Sequence, residues 1–333
     1  MTDRMPDKMT DRMTDRADIA AIVIGRNEGA RLIACLDSLA GRVARVIYVD
    51  SGSTDGSRGA AAARGAEVVA LDMRQPFTAA RARNAGLARL TGAGPPPAYV
   101  QFLDGDCSLQ PGWLDTARAF LDDNPAAAVA CGRRRERHPA ASVYNRLIDA
   151  EWDTPVGRAR SCGGDALMRV AALQEVGGFD PDLIAGEEPE LCVRLRAKGW
   201  EIWRLDAEMT LHDAAMTRFG QWWQRTRRGG YAFAEGAALH GAPPERHCVR
   251  NLRRLILWGM VLPLVTVLGA VITPWALLLL LAWPAQVLRL RLRGLPWYRA
   301  LFLTLSKLPE AQGALIYARH RLARTRARLI EYK

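Results

Sequence analysis

The sequence has few cysteines, and none is spaced for local chemistry. The six, Cys35, Cys107, Cys131, Cys162, Cys192 and Cys248, contain no C-x-x-C pair and none of the spacings of a zinc site. This excludes a locally encoded metal or redox centre, fits a reducing compartment and leads us to expect six inert or structural thiols. The first eighteen residues repeat Met-Thr-Asp-Arg from Met1, Met9 and Met13 and lack any apolar stretch that would form a signal-peptide core. They are expected to be a disordered leader without function. Acidic residues are scarce towards the other end: from Arg218 on, nineteen Lys and Arg stand against four Asp and Glu. Between Leu255 and Leu288 no charged residue occurs at all.

The 333 residues suffice for one large domain with an appendage or for two modest domains. The net charge of +11 divides into about −4 before Arg218 and about +15 after it. These basic residues flank the apolar run instead of decorating a folded unit that reads a groove. The pattern points to an anionic membrane surface and away from nucleic acid.

From Ile19 the chain alternates short apolar runs with helix-period segments, the pattern of an α/β sheet wrapped by helices. Strands are expected at Ile19–Ile24, Val43–Val49, Glu67–Leu71 and Tyr99–Leu103. Helices are expected at Ala30–Leu39, Ser57–Arg64, Thr78–Leu90, Trp113–Leu121, Ala166–Val176 and Glu187–Lys198. Ligands of open α/β sheets lie beyond the carboxyl ends of the strands. Three polar clusters follow those ends: Asn27-Glu28, Asp50-Ser51-Gly52-Ser53-Thr54-Asp55 and Asp104-Gly105-Asp106. Two carboxylates one residue apart after a strand suit a hard divalent cation, Mg2+ or Mn2+, that bridges to substrate phosphates. A solvated acidic turn is the plain alternative for Asp104 and Asp106.

Several segments in order resemble the inverting family 2 glycosyltransferases of GT-A fold: Asn27-Glu28, Val49–Asp55, Ala82-Arg83-Asn84-Ala85-Gly86, Phe102–Asp106, Gly177-Gly178-Phe179-Asp180, and Gly186-Glu187-Glu188 through Arg194. The resemblance covers most of the chain from Ile19 to His212. It implies transfer of a sugar from a nucleoside diphosphate sugar with a divalent metal, Mg2+ or Mn2+. Asp104 and Asp106 would hold the metal, with His212 as a further ligand or a structural histidine. Asn27, Glu28, Asp50, Ser51, Asp55, Arg83, Asn84 and Asp104 would bind the donor. Helix capping is an equal reading of Asp55, and an exposed helix charge is the plain reading of Arg83. Asp165, after Cys162-Gly163-Gly164, would face the donor or acceptor sugar or sit in a plain turn. The family places an aspartate general base where this chain has Glu188, so Glu188 is the expected base and Glu187 the second choice. Acids complementing a helix start are the competing reading. A nucleotidyltransferase is excluded by the missing Gly-rich, Arg-containing loop after the first strand.

A single helix from Leu255 to Leu288 would be about 51 Å long, against a hydrocarbon core of about 30 Å. Thr273-Pro274 supplies a break, so a transmembrane hairpin is expected. Arg250, Arg253 and Arg254 precede it and Arg289, Arg291 and Arg293 follow it, which puts both ends on the cytosolic side of a bacterial inner membrane. The Phe219–Arg228 stretch reads as an interfacial segment with tryptophans at headgroup depth. The expected organisation is leader 1–18, catalytic domain 19–217, interfacial linker 218–254, hairpin 255–288 and basic interfacial segment 289–333. The partners implied are the nucleotide-sugar donor, a lipid-linked or saccharide acceptor and membrane lipid. A polyprenyl-phosphate glycosyltransferase and a non-catalytic membrane scaffold are the rival readings.

Overall fold

Ile19–Ile24 is an unbroken apolar run in which every residue is buried, as expected of a strand covered by helices on both faces. The computed structural model describes residues 18–92 and 94–325, so the expected leader up to residue 17 lies outside the described residues. The chain divides into two compact units. The first runs through His138 and includes Ile148–Asp182 and Glu187–Ala214; the second comprises Pro139–Leu147, Leu183–Gly186 and the chain from Ala215 on.

In the first unit β1 (Ile19–Gly25), α1 (Ala30–Leu39), β2 (Arg45–Asp50), α2 (Ser57–Ala62), β3 (Glu67–Ala70), α3 (Ala79–Thr91) and β4 (Tyr99–Asp104) alternate strictly. After β5 (Cys107–Leu109), α4 (Trp113–Asp123) and β6 (Ala127–Glu136) comes α5 (Val143–Glu151), which crosses the division between the units. Then follow β7 (Gly157–Ala159), β8 (Ala166–Arg169), α6 (Val170–Glu175), α7 (Glu187–Ala197) and β9 (Glu201–His212). The sheet order is β3-β2-β1-β4-β8-β6-β9-β5, with β7 paired to β9.

Register gathers the functional segments at one edge. β1 pairs in parallel with β2 and β4, so Gly25 stands beside Asp50 and Ile24 beside Asp104. β8 runs antiparallel to β4 with Ala166 opposite Phe102, which returns Cys162–Asp165 to that edge. β9 pairs Cys107 with His212 on one side and Glu136 with His212 on the other.

The expected helix over Ala166–Val176 is corrected in its first part. Ala166–Arg169 is a central strand between β4 and β6, and only Val170–Glu175 is helical. Ala, Leu and Met favour helix, but burial between two strands overrides that preference.

The second unit is helical: α8 (Phe219–His240), α9 (Val249–Ile256), a π turn (Leu257–Val261), α10 (Leu262–Ile272), a 3-10 run (Pro274–Leu281), α11 (Ala282–Leu292), α12 (Trp297–Leu305) and α13 (Lys307–Ala323). Val249–Ile272 and Pro274–Leu292 are long and apolar enough to cross a membrane by length and composition. Little of either is buried within the chain, unlike the core helix of a soluble protein. Thr273 is extended (φ −151°, ψ 132°) and breaks the helix where Pro274 predicts it. A Cβ built on Gly269 would lie 2.7 Å from that of Ala276, so the two legs fold back onto each other.

The interfacial reading of the tryptophans is corrected for Trp222, which is 5% exposed and packs edge-on against Phe302 at 4.8 Å. Trp223 donates its indole N–H to Gln312 at 3.0 Å, while Phe219 remains exposed. Nor is the C-terminal segment wholly peripheral, because α13 meets α8 backbone to backbone where Gly230 faces Glu310 and Gly313 faces Arg227. A Cβ on Gly230 would sit 2.0 Å from the Glu310 carbonyl oxygen, whereas one on the adjacent Gly229 would meet nothing within 4 Å. Gly230→Ala is therefore expected to destabilise this unit by about 2–3 kcal/mol through forced separation of the helices. Gly229→Ala should stabilise it by about 0.5–1 kcal/mol through helix propensity. Thermal unfolding in detergent checks the pair; equal shifts of one sign would contradict this packing.

Candidate active site

The carboxyl ends of β1 and β2 are tied together by their own loops. Asn27 accepts the Thr54 N–H at 2.7 Å and donates its backbone N–H to Ser53 Oγ at 2.9 Å. Asp55 accepts the N–H groups of Gly29 (2.9 Å) and Ser57 (3.0 Å). Gly56 occupies the cap position of α2, so Asp55 serves the helix from one residue further out. The hydrogen bond with the Ser57 side chain leads the interactions that lower the Asp55 carboxyl below its ordinary value. Asp50 is buried and accepts from Gly52 and Ser53, each at 3.1 Å, which sets the turn. The Ser51 hydroxyl is buried without a hydrogen-bond partner among the described residues. Glu28 pairs with Arg31 at 2.8 Å.

Behind this edge lies a charged cluster. Arg83 is 3% exposed, so it is not the exposed helix charge of the plain reading. Its Nη1 donates to Glu187 Oε1 at 2.6 Å and its Nη2 to Asp104 Oδ1 at 3.0 Å. Arg134 reaches Asp104 Oδ2 at 3.3 Å and Asp165 Oδ2 at 3.4 Å, with its guanidinium 4.5 Å above the Trp152 ring. Burial would raise the Asp104 carboxyl, but Arg83 and Arg134 hold it below its ordinary value. Gly164 makes this approach possible, since a Cβ there would stand 2.9 Å from Arg83 Nη2 and 3.2 Å from Asp104 Oδ2.

Two expected donor contacts turn out to be engaged elsewhere. Asn84 donates to the Phe179 carbonyl (2.7 Å) and accepts the Phe179 N–H (2.9 Å), clamping the Gly177–Asp180 turn. Asp165 is fully buried, so it does not face a sugar directly. It accepts the Asp104 N–H at 3.1 Å and the Thr210 hydroxyl at 2.9 Å, and thereby places Asp104 and Arg134.

Asp106 and His212 form a second pair. His212 Nε2 faces Asp106 Oδ2 at 3.3 Å, and Nδ1 faces Glu136 Oε2 at 3.6 Å. Burial opposes ionisation of Glu136, but His212 and the N–H groups of His138 and Ala214 keep its carboxyl below the ordinary value. Each imidazole nitrogen thus faces a carboxylate, and a cation at Asp106 would take Nε2 as its second ligand with Nδ1 left towards Glu136. One oxygen and one nitrogen at this spacing suit Mn2+ or Mg2+. Five carboxylates in these two clusters, Asp104, Asp106, Glu136, Asp165 and Glu187, outnumber the guanidiniums of Arg83 and Arg134. The residues fit a cation.

Glu188, 6% exposed, directs Oε1 to the Cys162 N–H and to Cys192 Sγ, the latter at 3.2 Å. Its Oε2 has no hydrogen-bond or ion-pair partner among the described residues. Arg134 and Glu136 were missed from sequence; both lie on β6, two apart, and so share one face of that strand.

The family model for glycosyl transferase family 2 matches residues 20–171, and that for glycosyl transferase family group 2 matches residues 99–292, more than half of the chain. The chain is a family 2 glycosyltransferase. The glycosyltransferase is 28% identical over 240 residues to the pre-mycofactocin glycosyltransferase of Mycobacterium tuberculosis, covering 67% of this chain and 48% of that protein. Over 215 residues it is 28% identical to the succinoglycan biosynthesis protein ExoA of Rhizobium meliloti, covering 60% of this chain and 64% of that one. It thus spans about half the length of the first relative and less than two thirds of the second.

Among solved structures, the mannosyltransferase PcManGT of Pyrobaculum calidifontis, in complex with GDP-Man and Mn2+, superposes with TM-score 0.61 at 19% identity over 90% of this chain and 87% of that one. Glucosyl-3-phosphoglycerate synthase of Mycobacterium tuberculosis, in complex with Mn2+, UDP and glucosyl-3-phosphoglycerate, gives 0.52 at 18% identity over 73% of this chain and 88% of that one. These likenesses establish the GT-A fold of the glycosyltransferase.

Proposed function

We propose that the glycosyltransferase moves a sugar, with inversion, from a nucleoside diphosphate sugar to a lipid-linked or saccharide acceptor at the cytosolic face of a bacterial inner membrane. The observation that carries this reading is the convergence of Asp106–His212 and Arg83–Asp104–Arg134 at the carboxyl ends of the strands. Mn2+ or Mg2+, when bound, supplies neutralisation of the diphosphate leaving group, and Asp106 and His212 would hold it, with Asp104 beside them. Arg83 and Arg134 exchange part of their pairing with Asp104 for the phosphate oxygens. The Asn27, Glu28, Asp50, Ser51 and Asp55 loops form the nucleotide's edge, with Asp50 and Asp55 fixing the backbone that meets it. Asn84 and Asp165 act one step back, through the Phe179 turn and through Asp104.

Inversion requires the acceptor hydroxyl to lose its proton as it attacks. Glu188 is suited to take it, because Oε1 is anchored while Oε2 meets no partner among the described residues. Glu187 is committed to Arg83, and protonating it would break that ion pair. The two apolar spans, basic on both flanks, support a membrane-associated acceptor.

One experiment tests reaction and sidedness together. Sealed inside-out vesicles from expressing cells should release nucleoside diphosphate from one donor of a panel, in a Mn2+- or Mg2+-dependent manner, and intact spheroplasts should not. Release from spheroplasts alone would overturn the topology, and no release with any donor would favour a membrane scaffold.

A further inference from the structure

The fold joins two cysteines that stand thirty residues apart in sequence. Cys162 lies in the loop between β7 and β8, and Cys192 lies on α7, one turn beyond Glu188. Their Sγ atoms are 3.8 Å apart, Cys192 Sγ is 3.2 Å from Glu188 Oε1, and ligand atoms of all three residues lie within 4.8 Å of one another. A disulfide needs about 2.0 Å between sulfurs, so the two thiols are free. In a tetrahedral zinc site with Zn–S of about 2.3 Å and Zn–O of about 2.0 Å, the S···S edge is about 3.8 Å and the S···O edge about 3.5 Å. The thiol pair, held meanwhile by an S–H···S contact, already has the first of these dimensions and is near the second.

We propose that Cys162, Cys192 and Glu188 form a site for a thiophilic divalent cation, Zn2+ or its analogues, sharing no ligand with the Asp106–His212 pair. Two thiolates select soft or borderline ions, whereas Mg2+ and Mn2+ stay with oxygen and imidazole. Binding forms two metal–sulfur bonds and one metal–carboxylate bond, releases the two thiol protons to solvent and leaves a fourth position to water. Burial, first of all, keeps the Cys162 thiol well above its ordinary value; at Cys192 the hydrogen bond from Cys162 lowers the thiol less than burial and Glu188 raise it. Neither is thus a reactive thiolate in the metal-free protein. A cation on Glu188 would also withdraw it from proton transfer. That inhibitory consequence rests on the reading of Glu188 as the base.

Co2+ added to the detergent-solubilised full chain should produce a thiolate-to-cobalt charge-transfer band with the intense visible absorption of tetrahedral cobalt. The Cys162→Ala protein, which keeps the Cys162 backbone N–H and Cys192 Sγ on Glu188, should lose the band and keep its Mn2+-dependent release of nucleoside diphosphate. Zn2+ added over saturating Mn2+ should inhibit the wild type, and the variant should need at least about 100-fold more Zn2+, since losing even a ligand's supporting partner costs about 10–100-fold. Cys162→Ser gives the same test should the alanine variant fail to fold. No band in the wild type, or an unchanged band in the variants, overturns the site. A band that forms and disappears as expected, without inhibition of the wild type, supports the site and removes Glu188 as the base.

Discussion

Asp106→Asn is expected to lower turnover by about 10³-fold while the protein keeps its fold. The substitution preserves shape and removes the negative charge that faces His212 Nε2 at 3.3 Å. Neutralising a departing diphosphate contributes several kcal/mol, and about 4 kcal/mol corresponds to a factor of about 10³. The defect should appear as weakened Mn2+ activation, partly recovered at high Mn2+. His212→Ala should behave alike. Glu136→Gln, which meets the imidazole at its far nitrogen and whose amide oxygen can still accept the His138 or the Ala214 N–H, should weaken Mn2+ activation by about 10-fold with little loss at saturation. Asp104→Asn should differ, because its carboxylate holds Arg83 and Arg134: its defect should survive any Mn2+ concentration and appear in donor KM. Steady-state rates against Mn2+ for the four variants separate these cases. An unchanged rate after chelation in the wild type, or unchanged Mn2+ dependence in Asp106→Asn, would remove the metal from this pair.

The alternating first half was legible because local pattern and fold agree there. The Ala30–Leu39 helix lies where its periodicity puts it, and the ends of β1, β2 and β4 fall within two residues of expectation. Motif order was legible for a different reason: parallel strands return their carboxyl ends to one edge, so residues far apart in sequence meet without any contact having to be foreseen. What was hidden depends on long-range pairing. β6 and β9 carry Arg and Glu side chains that interrupt an apolar alternation, and only their mutual register sets Glu136 beside His212. Asp165 reads as a polar residue in a glycine turn, yet the antiparallel pairing of β8 buries it under Asp104. The cysteine pair shows the same limit, since its spacing is made by the packing of α7 and the loop after β7 rather than by sequence distance.

Glu188→Gln is expected to lower kcat by about 10²–10⁴-fold, roughly 3–5 kcal/mol of barrier, with donor affinity retained. The amide oxygen of glutamine can take the place of Oε1 against the Cys162 N–H, so the local structure has a reason to persist. The amide cannot accept a proton, so the loss should fall on kcat rather than on KM for the donor. Glu188→Asp should keep part of the activity, since it shortens the side chain by one methylene without changing its chemistry. Glu187→Gln should do the opposite of Glu188→Gln: it weakens the 2.6 Å pair with Arg83 and should raise donor KM more than it lowers kcat. If Glu187→Gln abolishes turnover while Glu188→Gln leaves it intact, the base is Glu187 and Glu188 is a helix-start acid. If neither substitution lowers kcat, the acceptor needs no base, and an already ionised acceptor such as a polyprenyl phosphate takes the place of the hydroxyl.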